Sequence, residues 1–123
     1  MILLDLKSNK PIYKQIAEYF ELQIKKGNIA PGEQIPSTSE IAYELSVSRR
    51  EAVKAYWVMQ KKGLISTSPT DDCGIQAVVT ADAKSQIVIE RVKNLLRIEI
   101  VGLREIGYDN EAILELVKSV CEE

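Results

Sequence analysis

The sequence predicts a mainly α-helical chain with one small β-hairpin, trailed by two further helices, and three observations carry that expectation. Apolar residues recur at three- and four-residue steps along most of the chain. Two serine-led capping boxes stand close together, and two β-branched runs flank a turn-rich segment near the middle.

Pro11 suits the first turn of a helix, where its missing N–H is no loss and its fixed φ helps. From there Ile12, Tyr13, Ile16, Tyr19, Phe20 and Ile24 line one face. Lys25-Lys26-Gly27 then sets cations at the negative end of the helix dipole, ahead of a glycine stop. Ala30-Pro31-Gly32-Glu33-Gln34-Ile35-Pro36 reads as turns. Ser37-Thr38-Ser39-Glu40 has capping-box spacing and opens a short helix that buries Ile41, Ala42 and Leu45 before breaking at Ser46-Val47. Ser48-Arg49-Arg50-Glu51 repeats the signal at once, so a third helix runs through Tyr56, Trp57 and Met59 to Lys62-Gly63. Two capped helices joined by a short turn are a helix-turn-helix.

Leu64-Ile65-Ser66-Thr67 and Ile75-Gln76-Ala77-Val78-Val79 are strand-like, and Ser68-Pro69-Thr70-Asp71-Asp72-Cys73-Gly74 between them closes a hairpin. Helix, helix-turn-helix and hairpin in that order make a winged helix-turn-helix, which we expect over residues 1–80. Residues 81–123 form the tail. Its first helix, from Asp82 to Ile106, spans about 24 residues and ~36 Å. Ile89, Val92, Leu96, Ile100 and Leu103 make one apolar stripe; Val88, Leu95, Ile98 and Val101 make a second. Gly107 stops this helix, Asp109 can cap the next, and Ile113, Leu116, Val117 and Val120 give the last helix a face to bury. Two helices cannot cover so much apolar surface alone, so the tail is expected to dimerise through Val92, Leu96, Ile100, Leu103, Leu116, Val117 and Val120.

Composition narrows the function. At 123 residues there is room for one domain and a small appendage, and no apolar run approaches the ~20 residues of a membrane span. Met1-Ile2-Leu3-Leu4-Asp5 lacks the basic start and long apolar run of a signal peptide, which points to a cytoplasmic protein. There is no histidine, and Cys73 and Cys121 stand far apart, so neither a metal site nor any other cofactor is expected. Cys73 follows Asp71 and Asp72, whose charge disfavours a thiolate. With no phosphate-binding glycine loop and no nucleophile beside a base, an enzyme is not expected either. The net charge of −2 is unevenly spread, +1 up to Thr80 and −3 beyond it. Phosphate binding depends on the local patch, and Arg49, Arg50 and Lys54 cluster on the third helix.

The residues carrying this pattern are Pro11-Ile12-Tyr13-Lys14-Gln15-Ile16, Gly27-Asn28-Ile29-Ala30-Pro31-Gly32-Glu33-Gln34-Ile35-Pro36-Ser37, Glu40-Ile41-Ala42 and Ala55-Tyr56. Together they resemble the GntR family of bacterial transcription regulators over about residues 10–80. The short tail, with Gly107-Tyr108 between its helices, resembles the YtrA-like subgroup, whose members lack a large effector domain and dimerise through such helices. The resemblance implies a homodimer on a pseudo-palindromic double-stranded DNA operator, often a repressor of a transport or envelope-stress operon. By position it also implies DNA contacts from Ser37, Ser39, Ser48, Arg49, Arg50 and Lys54, with Gly74 in the wing. A helix N-terminus attracts phosphate, and arginine forks reach phosphate or guanine edges. The chain departs from the family pattern in three places: Ser39 replaces an arginine, Glu51 replaces a neutral polar residue, and the wing carries Asp71 and Asp72 where arginines are usual. Each change is expected to reduce attraction to DNA. The rival expectation is a dimeric winged-helix module whose acidic wing serves a protein partner. No polar cluster in the sequence marks a pocket for a small-molecule effector.

Overall fold

The computed structural model describes residues 2–123. Met1, the first residue of the expected winged domain, lies outside the described residues. The chain divides into two compact units, Met1–Ile87 and Val88–Glu123. In order it forms α1 (Ile12–Lys26), β1 (Gln34–Ile35), α2 (Thr38–Leu45), α3 (Arg49–Lys61), β2 (Ile65–Pro69), β3 (Ile75–Val79), α4 (Ala83–Glu105) and α5 (Asn110–Cys121). This is a winged helix-turn-helix followed by two helices, the architecture the sequence predicts.

Packing in the first unit follows the apolar periodicity. Ile16, Phe20 and Ile24 of α1 meet Ile41 of α2 and Ala52, Ala55, Tyr56 and Met59 of α3 in one buried cluster. The Phe20 and Tyr56 rings pack edge to face with centroids 5.9 Å apart, an arrangement that aromatic quadrupoles favour. Leu64, Ile65, Ala77 and Val79 bring the sheet onto the same core, and Ala83 at the start of α4 completes it. The αL residue that ends α1 is Gly27, and Ser46 takes the same conformation, with φ 54°, in the turn between α2 and α3.

One strand is additional to the hairpin that the sequence predicts. β1 pairs antiparallel with β3, Gln34 opposite Val78 and Ile35 opposite Ala77, giving a sheet of order β1-β3-β2. A strand of two residues, Gln34 and Ile35, is too short to show alternation, so it arises from tertiary pairing rather than local propensity. In the hairpin itself Ile65 faces Val79 and Pro69 faces Ile75. Pro69 is tolerated because β2 is an edge strand.

In the second unit Gly107, with φ 93°, ends α4, and the Tyr108 N–H donates back to the Leu103 carbonyl at 3.0 Å. Asp109 caps α5 by accepting from the Ala112 N–H at 2.9 Å. Arg104 donates to the Asn110 side chain at 2.8 Å across the turn. Of the residues expected to form the inner face of α5, only Ile113 is buried; Leu116, Val117 and Val120 are exposed in the single chain. Val92 and Leu96 are exposed too, and Ile100 and Leu103 half-buried. No helix among the described residues is long and apolar enough to cross a membrane.

Candidate nucleic-acid interface

Helices α2 and α3 are placed by their caps. The Ser37 hydroxyl accepts from the Glu40 N–H and the Ser48 hydroxyl from the Glu51 N–H, both at 3.2 Å. Each supplies the serine half of a capping box. The second box departs from its expected form in its other half: the Glu51 carboxylate accepts from the Tyr13 N–H at 3.0 Å, at the start of α1. That N–H belongs to the unsatisfied first turn of a helix, where a carboxylate is favoured by the dipole. Glu51 is therefore engaged with α1, a role the sequence hides because it joins residues 38 positions apart.

The Tyr56 phenol fixes the approach to α2 by donating to the Pro36 carbonyl. Burial above all, then the neighbouring Glu40 and Glu44 carboxylates, push this phenol far above its ordinary range. It stays protonated and remains a donor. On the other side, the buried Thr38 hydroxyl accepts from the Ile75 N–H at 2.8 Å and ties the first turn of α2 to β3.

The sequence-predicted contact residues fall into three settings. Arg49, Arg50 and Lys54 are exposed on α3. Arg50, Lys54, Trp57 and Lys61 follow one another at helical spacing and are all exposed, so three cations and an indole share one stripe. Trp57, at 63% exposure, is an unusual surface residue; its spacing sets it with the cations and off the face of the buried Ala52, Ala55, Tyr56 and Met59. Lys54 Nζ lies 4.2 Å from the Tyr13 ring centroid, which steadies the cation without neutralising it. Ser37 and Ser48 are the caps described above. Ser39 and Gly74 lie where α2 meets the wing: a Cβ on Gly74 would stand 2.7 Å from Ser39 Oγ and 3.0 Å from the Thr38 and Thr70 hydroxyls. Gly74 is thus buried against α2, and only glycine allows that approach.

The wing turn folds around Asp72. Its carboxylate accepts from the Thr70 hydroxyl and, at 3.3 Å, from the Gly74 N–H, while Cys73 adopts φ 65°. Arg49 reaches this turn from α3: Nη1 donates to the Asp72 carbonyl at 3.0 Å, and Nη2 lies 3.8 Å from Asp72 Oδ2. The Thr70 hydroxyl above all, with the Gly74 N–H and the Arg49 charge, holds the Asp72 carboxyl below the usual carboxylate range. Ser39 Oγ, beside this turn, is buried and makes no hydrogen bond with the described residues. Asp71 makes no hydrogen bond or ion pair with the described residues. The arrangement offers an exposed basic helix preceded by a capped N-terminus, with a hairpin fastened to the helix's first residue.

Residues 12–71 match the family described as bacterial regulatory proteins, gntR family. The HTH-type transcriptional repressor YtrA of Bacillus subtilis is 28% identical over 123 residues, covering 98% of this chain and 92% of the relative. Among solved structures, YtrA from Sulfolobus acidocaldarius, a GntR-family transcription factor, is 31% identical, with a TM-score of 0.58 over 78% of this chain and 97% of that one. A GntR family transcriptional regulator from Listeria monocytogenes gives a TM-score of 0.57 at 27% identity, over 93% and 98% of the two chains.

Proposed function

From the premise that this chain belongs to the gntR family and is a DNA-binding transcription regulator of that type, we propose that it is a homodimeric repressor of the YtrA kind. The observation that carries the reading is the exposed cationic face of α3, Arg49, Arg50 and Lys54, standing directly after the Ser48 cap. A helix N-terminus favours anions, and a recognition helix contacts base edges with its first residues. In this reading residues 1–80 bind the operator and residues 81–123 hold two copies together. Ser37, Ser39 and Ser48 lie at the helix starts that approach phosphate, and Gly74 keeps the wing beside them. The Bacillus subtilis relative is a transcriptional repressor, which supports repression as the sign of regulation. The family resemblance suggests a transport or envelope-stress operon as the target.

Dimerisation is supported by apolar side chains that one chain leaves in water. Val92, Leu96, Leu116, Val117 and Val120 are each between 39% and 58% exposed. Several such residues along two neighbouring helices are the mark of an interface rather than of ordinary surface. Two identical tails would present two α3 helices to successive turns of the duplex, as a pseudo-palindromic operator requires.

The test is capture of genomic fragments by the purified protein, followed by sequencing and titration of what is retained. Enrichment of a few fragments carrying inverted half-sites supports the reading. Uniform recovery of all fragments, or of none, contradicts it.

A further inference from the structure

The wing's acidic residues look repulsive to DNA as sequence, yet one of them is not directed at solvent alone. Asp72 touches Arg49 twice, through its carbonyl at 3.0 Å and its carboxylate at 3.8 Å. The turn that holds Asp72 is itself anchored: Thr70 and Gly74 bond its carboxylate, and Gly74 is wedged against Thr38 and Ser39 of α2. A guanidinium has five N–H donors in a rigid fork. Arg49 spends one on the wing, with a second nitrogen facing Oδ2, and keeps the rest for another acceptor.

We propose that Asp72 is a positioning residue that fixes the Arg49 guanidinium for base readout, so that the acidic wing sharpens sequence discrimination while weakening sequence-independent attraction. This rests on the DNA-binding reading above. A long side chain free in water loses rotamer freedom when it docks on a base, whereas one already oriented loses less. The benefit appears only where the base offers the matching pair of acceptors, as guanine does with O6 and N7. On random sequence the Asp72 charge contributes only repulsion toward phosphate. Asp71 carries the same charge in the same turn without touching Arg49, and so provides the control.

The test uses the full-length protein, a duplex recovered from the genomic capture and a random duplex of equal length, titrated by fluorescence anisotropy at one salt concentration. Asp72→Asn keeps the backbone carbonyl that Arg49 bonds and an oxygen for Thr70 and Gly74, and turns an amide toward Arg49 Nη2, so it removes the carboxylate half of the contact. It should lower the operator-to-random affinity ratio by about two- to fivefold, the scale of an exposed ion pair. Asp71→Asn should shift both affinities together and leave the ratio unchanged. In an Arg49→Ala background, Asp72→Asn should have no further effect on the ratio. A ratio unchanged by Asp72→Asn, or lowered equally with Arg49 absent, overturns the proposal while the regulator reading stands; a wild-type ratio of one overturns both. In the free wild-type protein, NMR order parameters of the Arg49 Nε–H should exceed those of Arg50. Equal values overturn the proposal whether or not the variants fold.

Discussion

Arg49, the first residue of α3, donates from Nη1 to the carbonyl of Asp72 at the tip of the wing, 23 positions along the chain, at 3.0 Å. The contact joins the two parts of the fold that face DNA in the proposed function. It also gives Asp71 and Asp72 different roles. Asp72 is held by the wing turn and by Arg49, whereas Asp71 has no such partner among the described residues.

Asp71 is therefore the wing carboxylate whose repulsion of phosphate no bound cation offsets. Asp71→Arg should raise affinity for random DNA and steepen its salt dependence by about one unit of slope, the increment for one new phosphate contact. Titration at two salt concentrations reads this directly. An unchanged slope means that this part of the wing stands away from the duplex.

Gly74→Ala should destabilise the protein by about 1–3 kcal/mol, the usual cost of forcing a methyl into a filled space. The new Cβ would meet Ser39 Oγ at 2.7 Å and two threonine hydroxyls at 3.0 Å. Urea unfolding gives the midpoint. A midpoint equal to wild type would show that the wing is not seated on α2 as described.

Tyr56→Phe should cost about 1–2 kcal/mol near neutral pH, because it leaves the Pro36 carbonyl without its donor. It should also change the alkaline limb of stability. The folded state raises the Tyr56 pKa, so its protonated phenol contributes stability that is complete below the unfolded value of about 10 and is lost as pH climbs from there toward the folded value. Wild type should lose stability more steeply than Tyr56→Phe above pH ~10. Parallel alkaline limbs would contradict the burial assigned to this phenol.

Most of the fold is legible in the sequence because it is written in local signals. The caps at Ser37, Ser48 and Asp109 and the stops at Gly27, Gly63 and Gly107 are set by residues within a few positions of the helix ends. β1 escapes this kind of reading because two residues have no period of their own. The site is legible only as a set of exposed cations on α3. Glu51 reads as half of a capping box and serves α1 instead; Asp72 reads as a free charge and is bound to Arg49. Both contacts join distant parts of the chain, where spacing carries no information.

The tail gives its own prediction. Leu96→Glu with Leu103→Glu places charge in the apolar stripe of α4 and should yield monomer or insoluble protein, since interfaces built from core-like faces are obligate and do not tolerate unpaired charge. Sedimentation equilibrium at micromolar concentration gives the mass. A soluble wild-type monomer would contradict the proposed dimer.

The most direct measurement on the central claim is the affinity of wild type and of the Arg49→Ala, Arg50→Ala double variant for a captured genomic fragment and for random duplex, at two salt concentrations. If α3 reads the operator, the double variant should lose about 1–3 kcal/mol of binding for each base contact removed, together with most of the preference over random sequence. Where one of the two meets phosphate instead, affinity should fall on both duplexes and the salt slope should flatten by about one unit. Affinity, preference and salt slope all equal to wild type would contradict the claim that this helix faces DNA.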